Sequence, residues 1–135
     1  MPPLPAEDDV RRRLIALARE IIEDETIAID ATLSLVREYG MDSLDLLDFS
    51  FNIEEVFGIR IGADELRGRA KGMMREEDMI DEDGCLSREA LAIMQAQIPE
   101  IPPEMFVYGL RQEDIPGLLN INVFVRMVRE KLRKD

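Results

Sequence analysis

Histidine and tryptophan are absent from the 135 residues, and cysteine occurs once, at Cys85. Without histidine the Ser-His triad, the Cys-His pair and the usual tetrahedral zinc sites have no candidates, so neither catalytic residues nor a metal site is expected. Cys85 has no partner for an intrachain disulfide, which makes a reducing cytoplasm the expected compartment. Lysine is confined to Lys71, Lys131 and Lys134, and no dense basic run with aromatics exists. Binding to a nucleic-acid backbone is therefore not expected. No stretch approaches the roughly 20 apolar residues of a membrane helix. The opening Met1–Asp9, with three prolines and three acids, lacks the basic start and apolar run of a signal peptide. A soluble chain without membrane insertion follows.

What is present is acid. Asp and Glu number 29 against 17 Lys and Arg, a formal net charge of −12. The excess is uneven: residues 1–20 sum to 0, 21–64 to −9, 65–115 to −6 and 116–135 to +3. An excess of this kind is either a solvated face or a surface for basic protein partners, and the residues inside the second block decide between them. Hydrophobic residues at 46% with charged residues at 34% suit one folded helical domain over 1–135, with 1–6 as a flexible N-terminus.

The first amphipathic helix is expected from Glu7 to about Glu25, where Val10, Leu14, Leu17, Ile21 and Ile22 follow the 3.6 period. Residues 26–41 read as a long loop pinned to the core through Ile27, Ile29, Leu33 and Leu35. Asp42 is a good N-cap, with Asp45 at the third helical position, for a second helix from Ser43 to Phe57 that stops at Gly58. Its core arc is Leu46, Phe49, Ile53, Val56 and Phe57. Asp45, Asp48, Asn52 and Glu55 make a polar stripe, and Leu44, Leu47 and Phe51 a second apolar stripe beside it. Farther on, short helical pieces are expected at Ala63–Ala70 and in the acidic run Glu76–Asp83. An Asp83-Gly84 turn precedes a helix from Ser87 to Gln97, and one more helical turn is expected through Phe106. The last helix, 120–133, opens on Asn120 and carries Ile121, Phe124, Val125, Val128 and Leu132 at helical spacing. No strand pattern or repeat competes, so the fold class is all-α. Gly-rich phosphate loops are absent.

The most informative string is Gly40-Met41-Asp42-Ser43-Leu44-Asp45-Leu46-Leu47-Asp48-Phe49, continuing through Ile53-Glu54-Glu55-Val56-Phe57-Gly58-Ile59-Arg60-Ile61. It resembles the acyl carrier protein family, whose attachment site is a Gly-x-Asp-Ser-Leu stretch opening an acidic second helix. The resemblance covers roughly 33–61, and the helix from Asn120 resembles the family's last helix. It implies a four-helix bundle and a 4'-phosphopantetheine arm on Ser43, flanked by Asp42 and Leu44. A separate phosphopantetheinyl transferase attaches the arm from coenzyme A with magnesium, and its thiol then holds acyl groups as thioesters. It further implies that Asp42, Asp45, Asp48, Glu54 and Glu55 dock to basic patches on acyl synthetases, synthases and acyltransferases of fatty-acid, lipid or polyketide-type biosynthesis. The chain is expected to do so as a monomer and as a carrier, not an enzyme. Leu44, Leu47 and Phe51 are expected to meet partner enzymes or to gate the acyl chain, unless the segment 65–115 folds over them.

That segment, a helical insertion where the family has a short connection, is the largest departure from the pattern. It holds Met73, Met74, Met79, Met94 and Met105, for which plain packing is the safer reading over an acyl-binding cavity. Tyr39, where leucine is usual, is expected to alter loop packing. Asp81-Glu82-Asp83-Gly84 looks like part of a calcium loop, but counting from Gly84 as the sixth position puts Met79 first and Ala90 twelfth, so both end carboxylates are missing. Alternatives to an acyl carrier are a peptidyl or aryl carrier and a non-covalent helical adaptor, for which Ser43 is simply a helix-start residue beside its cap.

Overall fold

A computed structural model describes residues 4–61 and 74–134. The expected helix Ala63–Ala70 and Met73 lie outside the described residues.

Helix α1 spans Glu7–Ile22. Glu7, Asp8 and Asp9 occupy its first turn, where carboxylates face the positive end of the helix dipole, and Val10, Leu14 and Ala18 are buried at helical spacing. The helix stops three residues before the expected Glu25. Glu23 takes a left-handed conformation (φ 63), and the N–H groups of Glu23 and Asp24 return to the carbonyls of Glu20 and Arg19. Asp24 then holds the chain out of the helix, accepting from the Thr26 N–H at 3.0 Å and the Thr26 hydroxyl at 2.7 Å. Asp30 repeats this turn with Thr32.

Residues 24–41 form a non-helical connection that begins two residues before the expected 26–41, anchored by buried Ile29, Leu35 and Met41, while Leu33, expected as an anchor, is exposed. Polar ties fix the rest. Leu35 N–H donates to the Leu119 carbonyl, the Ser34 hydroxyl donates to the Gly117 carbonyl at 2.6 Å, and Asn122 N–H donates to the Ala31 carbonyl. The Tyr39 hydroxyl accepts the Asp30 N–H at 2.7 Å, a bond leucine cannot make.

Helix α2 spans Ser43–Phe57, with both expected bounds, and ends where Gly58 turns left-handed at φ 66. Phe49, Ile53 and Phe57 are buried as expected. Val56 is not: it is 41% exposed, and Leu46 is half-buried, so the core-facing arc is narrower than its periodicity implied. The acidic run yields only one turn, α3, Glu76–Met79. Helix α4 spans Arg88–Gln97, capped by the Ser87 hydroxyl, which accepts the Ala90 N–H. Short 3-10 turns follow at Pro103–Met105 and Gln112–Leu118, and α5 spans Ile121–Lys134.

The core lies between α1, α2 and α5, with Phe49 and Phe124 packed edge to face at a centroid distance of 5.1 Å. The segment 74–119 is no detached appendage, for Leu86, Leu91, Met94, Ile98, Ile101 and Leu110 are buried in the same cluster. Met74 and Met79 pack in a smaller cluster with Ala90. Asn120, 1% exposed, fastens three parts together. Its Oδ1 caps α5 at the Val123 N–H, and its Nδ2 donates to the carbonyls of Glu100 and Thr32. The fold of the described residues is all-α, with a single isolated antiparallel bridge between Ile80 and Leu86. Among them no helix is long and apolar enough to cross a membrane.

Candidate functional site

Ser43 is the first residue of α2. Asp42 before it is extended (φ −100, ψ −175), and its carboxylate accepts the Asp45 N–H at 2.8 Å. Asp45 answers in kind, accepting the Asp42 N–H at 3.1 Å. This capping box is built from the acids that the sequence marked, and it fixes the backbone on both sides of Ser43. Gly40, at φ 75, makes the left-handed turn that brings the chain in. The Ser43 side chain is exposed, and among the described residues its hydroxyl takes part in no hydrogen bond. An unencumbered oxygen at a helix N-terminus can take a phosphoryl group and tolerate the resulting charge.

Beside Ser43 runs a groove of about 320 Å³ lined by Val36, Arg37, Met41, Asp42, Ser43 and Leu46 on one side. The 3-10 turn closes the other side with Glu113, Asp114, Pro116 and Gly117. Sequence reasoning missed this wall and Arg37. The turn is distant in sequence and carries no local pattern that points to Ser43. It reaches the site through the Ser34–Gly117 and Leu35–Leu119 hydrogen bonds.

The second apolar stripe is on the surface. Leu44 is 69% exposed, Leu47 50% and Phe51 55%. The described part of the long segment, 74–115, leaves that stripe uncovered. Asp48 and Glu55 are exposed on the same helix. Asp45 and Glu54 are half-buried and also have internal work: Asp45 closes the capping box, and Glu54 accepts the Ile61 N–H at 2.7 Å, tying the apolar return to the end of α2. Leu44, Asp48, Leu47, Phe51 and Glu55 thus share one exposed helix with Ser43, whereas Glu54 sits at its structural end.

In the long segment, Met74, Met79 and Met94 are buried in packed clusters and Met105 is half-buried. Asp81 is used as a turn organiser: its carboxylate accepts the N–H groups of Asp83 and Cys85 and the Tyr108 hydroxyl. The Tyr108 bond in particular holds the Asp81 carboxyl below its usual range. The same bond pushes the Tyr108 phenol up to about 12. Among the described residues no cluster of three metal-ligating side chains occurs.

Residues 12–68 match the family model described as the phosphopantetheine attachment site. No curated protein and no solved structure matches the chain. The matched span takes in most of α1, the loop, all of α2 and the apolar return. A domain of this kind is the site of covalent 4'-phosphopantetheine attachment and is itself non-catalytic. The exposed serine, the capped helix start and the open groove fit that group. Over residues 12–68, somewhat under half of the chain, the sequence thus matches the phosphopantetheine attachment site model, in agreement with its resemblance to acyl carrier proteins.

Proposed function

We propose that Ser43 is the attachment residue and that the protein carries acyl intermediates as thioesters between cytoplasmic enzymes of fatty-acid, lipid or polyketide-type biosynthesis. The observation that carries this reading is the Ser43 side chain itself, exposed and, among the described residues, without a hydrogen bond, at the start of a helix held by the Asp42–Asp45 box. The serine needs no base of its own. The transferase takes the hydroxyl proton as the Oγ–phosphorus bond forms and the pyrophosphate P–O bond of coenzyme A breaks, its adenosine bisphosphate portion leaving, which is how a chain without histidine is modified at a serine. The arm supplies the thiol that bears the acyl group. The chain's own part is to hold the serine outward, tolerate the phosphodiester and steer partners.

On this reading Asp45, Asp48, Glu54 and Glu55 supply the field that draws basic docking patches, and Leu44, Leu47 and Phe51 supply the apolar contact at its centre. Residues 1–135 act as one monomeric carrier domain, and 65–115 is an insertion whose described part, 74–115, contributes buried side chains to the core. The test is intact mass after incubation with coenzyme A, magnesium and a broad-specificity phosphopantetheinyl transferase, wild type beside Ser43→Ala. Wild type gains the mass of one arm and the variant none. A folded wild type that gains nothing makes Ser43 only a helix-start residue and leaves the non-covalent adaptor as the better reading.

A further inference from the structure

The groove beside Ser43 has an uneven charge. Asp42, Glu113 and Asp114 place three carboxylates along it, and Arg37 is the only cation among its lining residues. Residues 21–64 hold only two basic residues, Arg37 and Arg60, in a block of net charge −9. Arg37 is also uncommitted: among the described residues its guanidinium makes neither an ion pair nor a hydrogen bond. The residue is exposed, with its backbone fixed. Its backbone N–H is held by the Ser34 hydroxyl at 3.0 Å, the same hydroxyl that donates to Gly117. Its side chain lies against the 3-10 turn, with Nε 3.6 Å from where a Cβ on Gly117 would stand.

A phosphodiester on Ser43 adds a full negative charge next to these carboxylates. Like charges at such a site repel, and a guanidinium within reach is the group that relieves the repulsion while giving two parallel N–H donors to phosphate oxygens. Resting on the assignment of Ser43 as the attachment residue, we propose that Arg37 is a positioning residue that pairs with the phosphodiester of the arm and holds the arm's root against the groove walled by Glu113–Gly117. The arm then leaves Ser43 in a preferred direction, and partner docking competes with that pairing.

The experiment uses the loaded protein, with one arm confirmed by intact mass, and reads the phosphorus resonance of the phosphodiester in wild type, Arg37→Ala and Arg37→Lys. In wild type the resonance is displaced from that of a free serine phosphodiester, its line is broadened, and both effects fade with added salt. Arg37→Ala moves it to the free position and removes the salt dependence. Arg37→Lys keeps part of the displacement, because an ammonium supplies charge without the planar fork. Identical resonances, linewidths and salt responses in wild type and Arg37→Ala, with the arm present on Ser43, overturn the pairing alone. No arm on Ser43 overturns the attachment reading and the pairing with it.

Discussion

Single residues carry distinct loads here, and two lie far from Ser43. Asn120 is buried and satisfies an α5 N–H and two loop carbonyls at once. Removing its amide leaves buried groups unpaired, so Asn120→Ala is expected to cost about 2 kcal/mol in a urea titration, at the upper end of the range for a cap. Threonine caps a helix too but cannot make the two amide donations. Glu23 is the opposite case, since it adopts the left-handed conformation with a Cβ that disfavours it. Glu23→Gly should therefore raise stability by ~0.5 kcal/mol, the left-handed cost relieved less the added freedom of the unfolded chain. The Asn120 cap was legible in the sequence because Asn before an apolar period is a cap by chemistry. The Glu23 stop was not, because glutamate carries no stop signal and the turn that ends α1 is set by Asp24 and Thr26 beyond it.

At the scale of the element, α2 combines a core face with a free face. Phe51→Ser is expected to change unfolding free energy by less than about 0.5 kcal/mol, as for an exposed surface position. It should weaken binding to partner enzymes measured by titration. Lost stability with unchanged partner affinity would return Phe51 to a packing role. Bounds, cap and the two apolar stripes of α2 were all readable from spacing. Exposure of Val56 was not, since periodicity gives an arc and only the positions of α1 and α5 decide how much of it is covered. The turn around Gly84 offers a second test. Tyr108 has its pKa raised to about 12 by its bond to Asp81, so that bond's contribution is complete below the ordinary tyrosine value of 10 and is lost as pH rises through about 12. Asp81 itself is depressed, so its contribution is present above 3.8 and is lost as pH falls through its lowered value. Tyr108→Phe should flatten the alkaline loss of stability between pH 10 and 12, read by thermal melts across that range.

For the whole molecule, the acidic excess is concentrated in 21–64, while the last twenty residues are net basic. Association with basic partners should slow as salt is added, since exposed charges act mainly on encounter rate. The described part of the long segment belongs to the same core as the helices that flank it: Met94 is fully buried in the cluster that also holds Leu14, Phe49 and Phe124. Met94→Ala is expected to cost about 2–4 kcal/mol and to lower one cooperative transition for the entire chain. The all-α class and the attachment motif were visible in the sequence. The groove at Ser43 was not, because it is assembled from residues 36–46 and 113–117, which only tertiary hydrogen bonds bring together. The account rests most directly on one serine. Fragmentation mass spectrometry of the transferase-treated protein should place the arm on Ser43 in a peptide spanning the Asp42–Leu46 region, whereas an arm on Ser50 or Ser87, or on none of them, would contradict it.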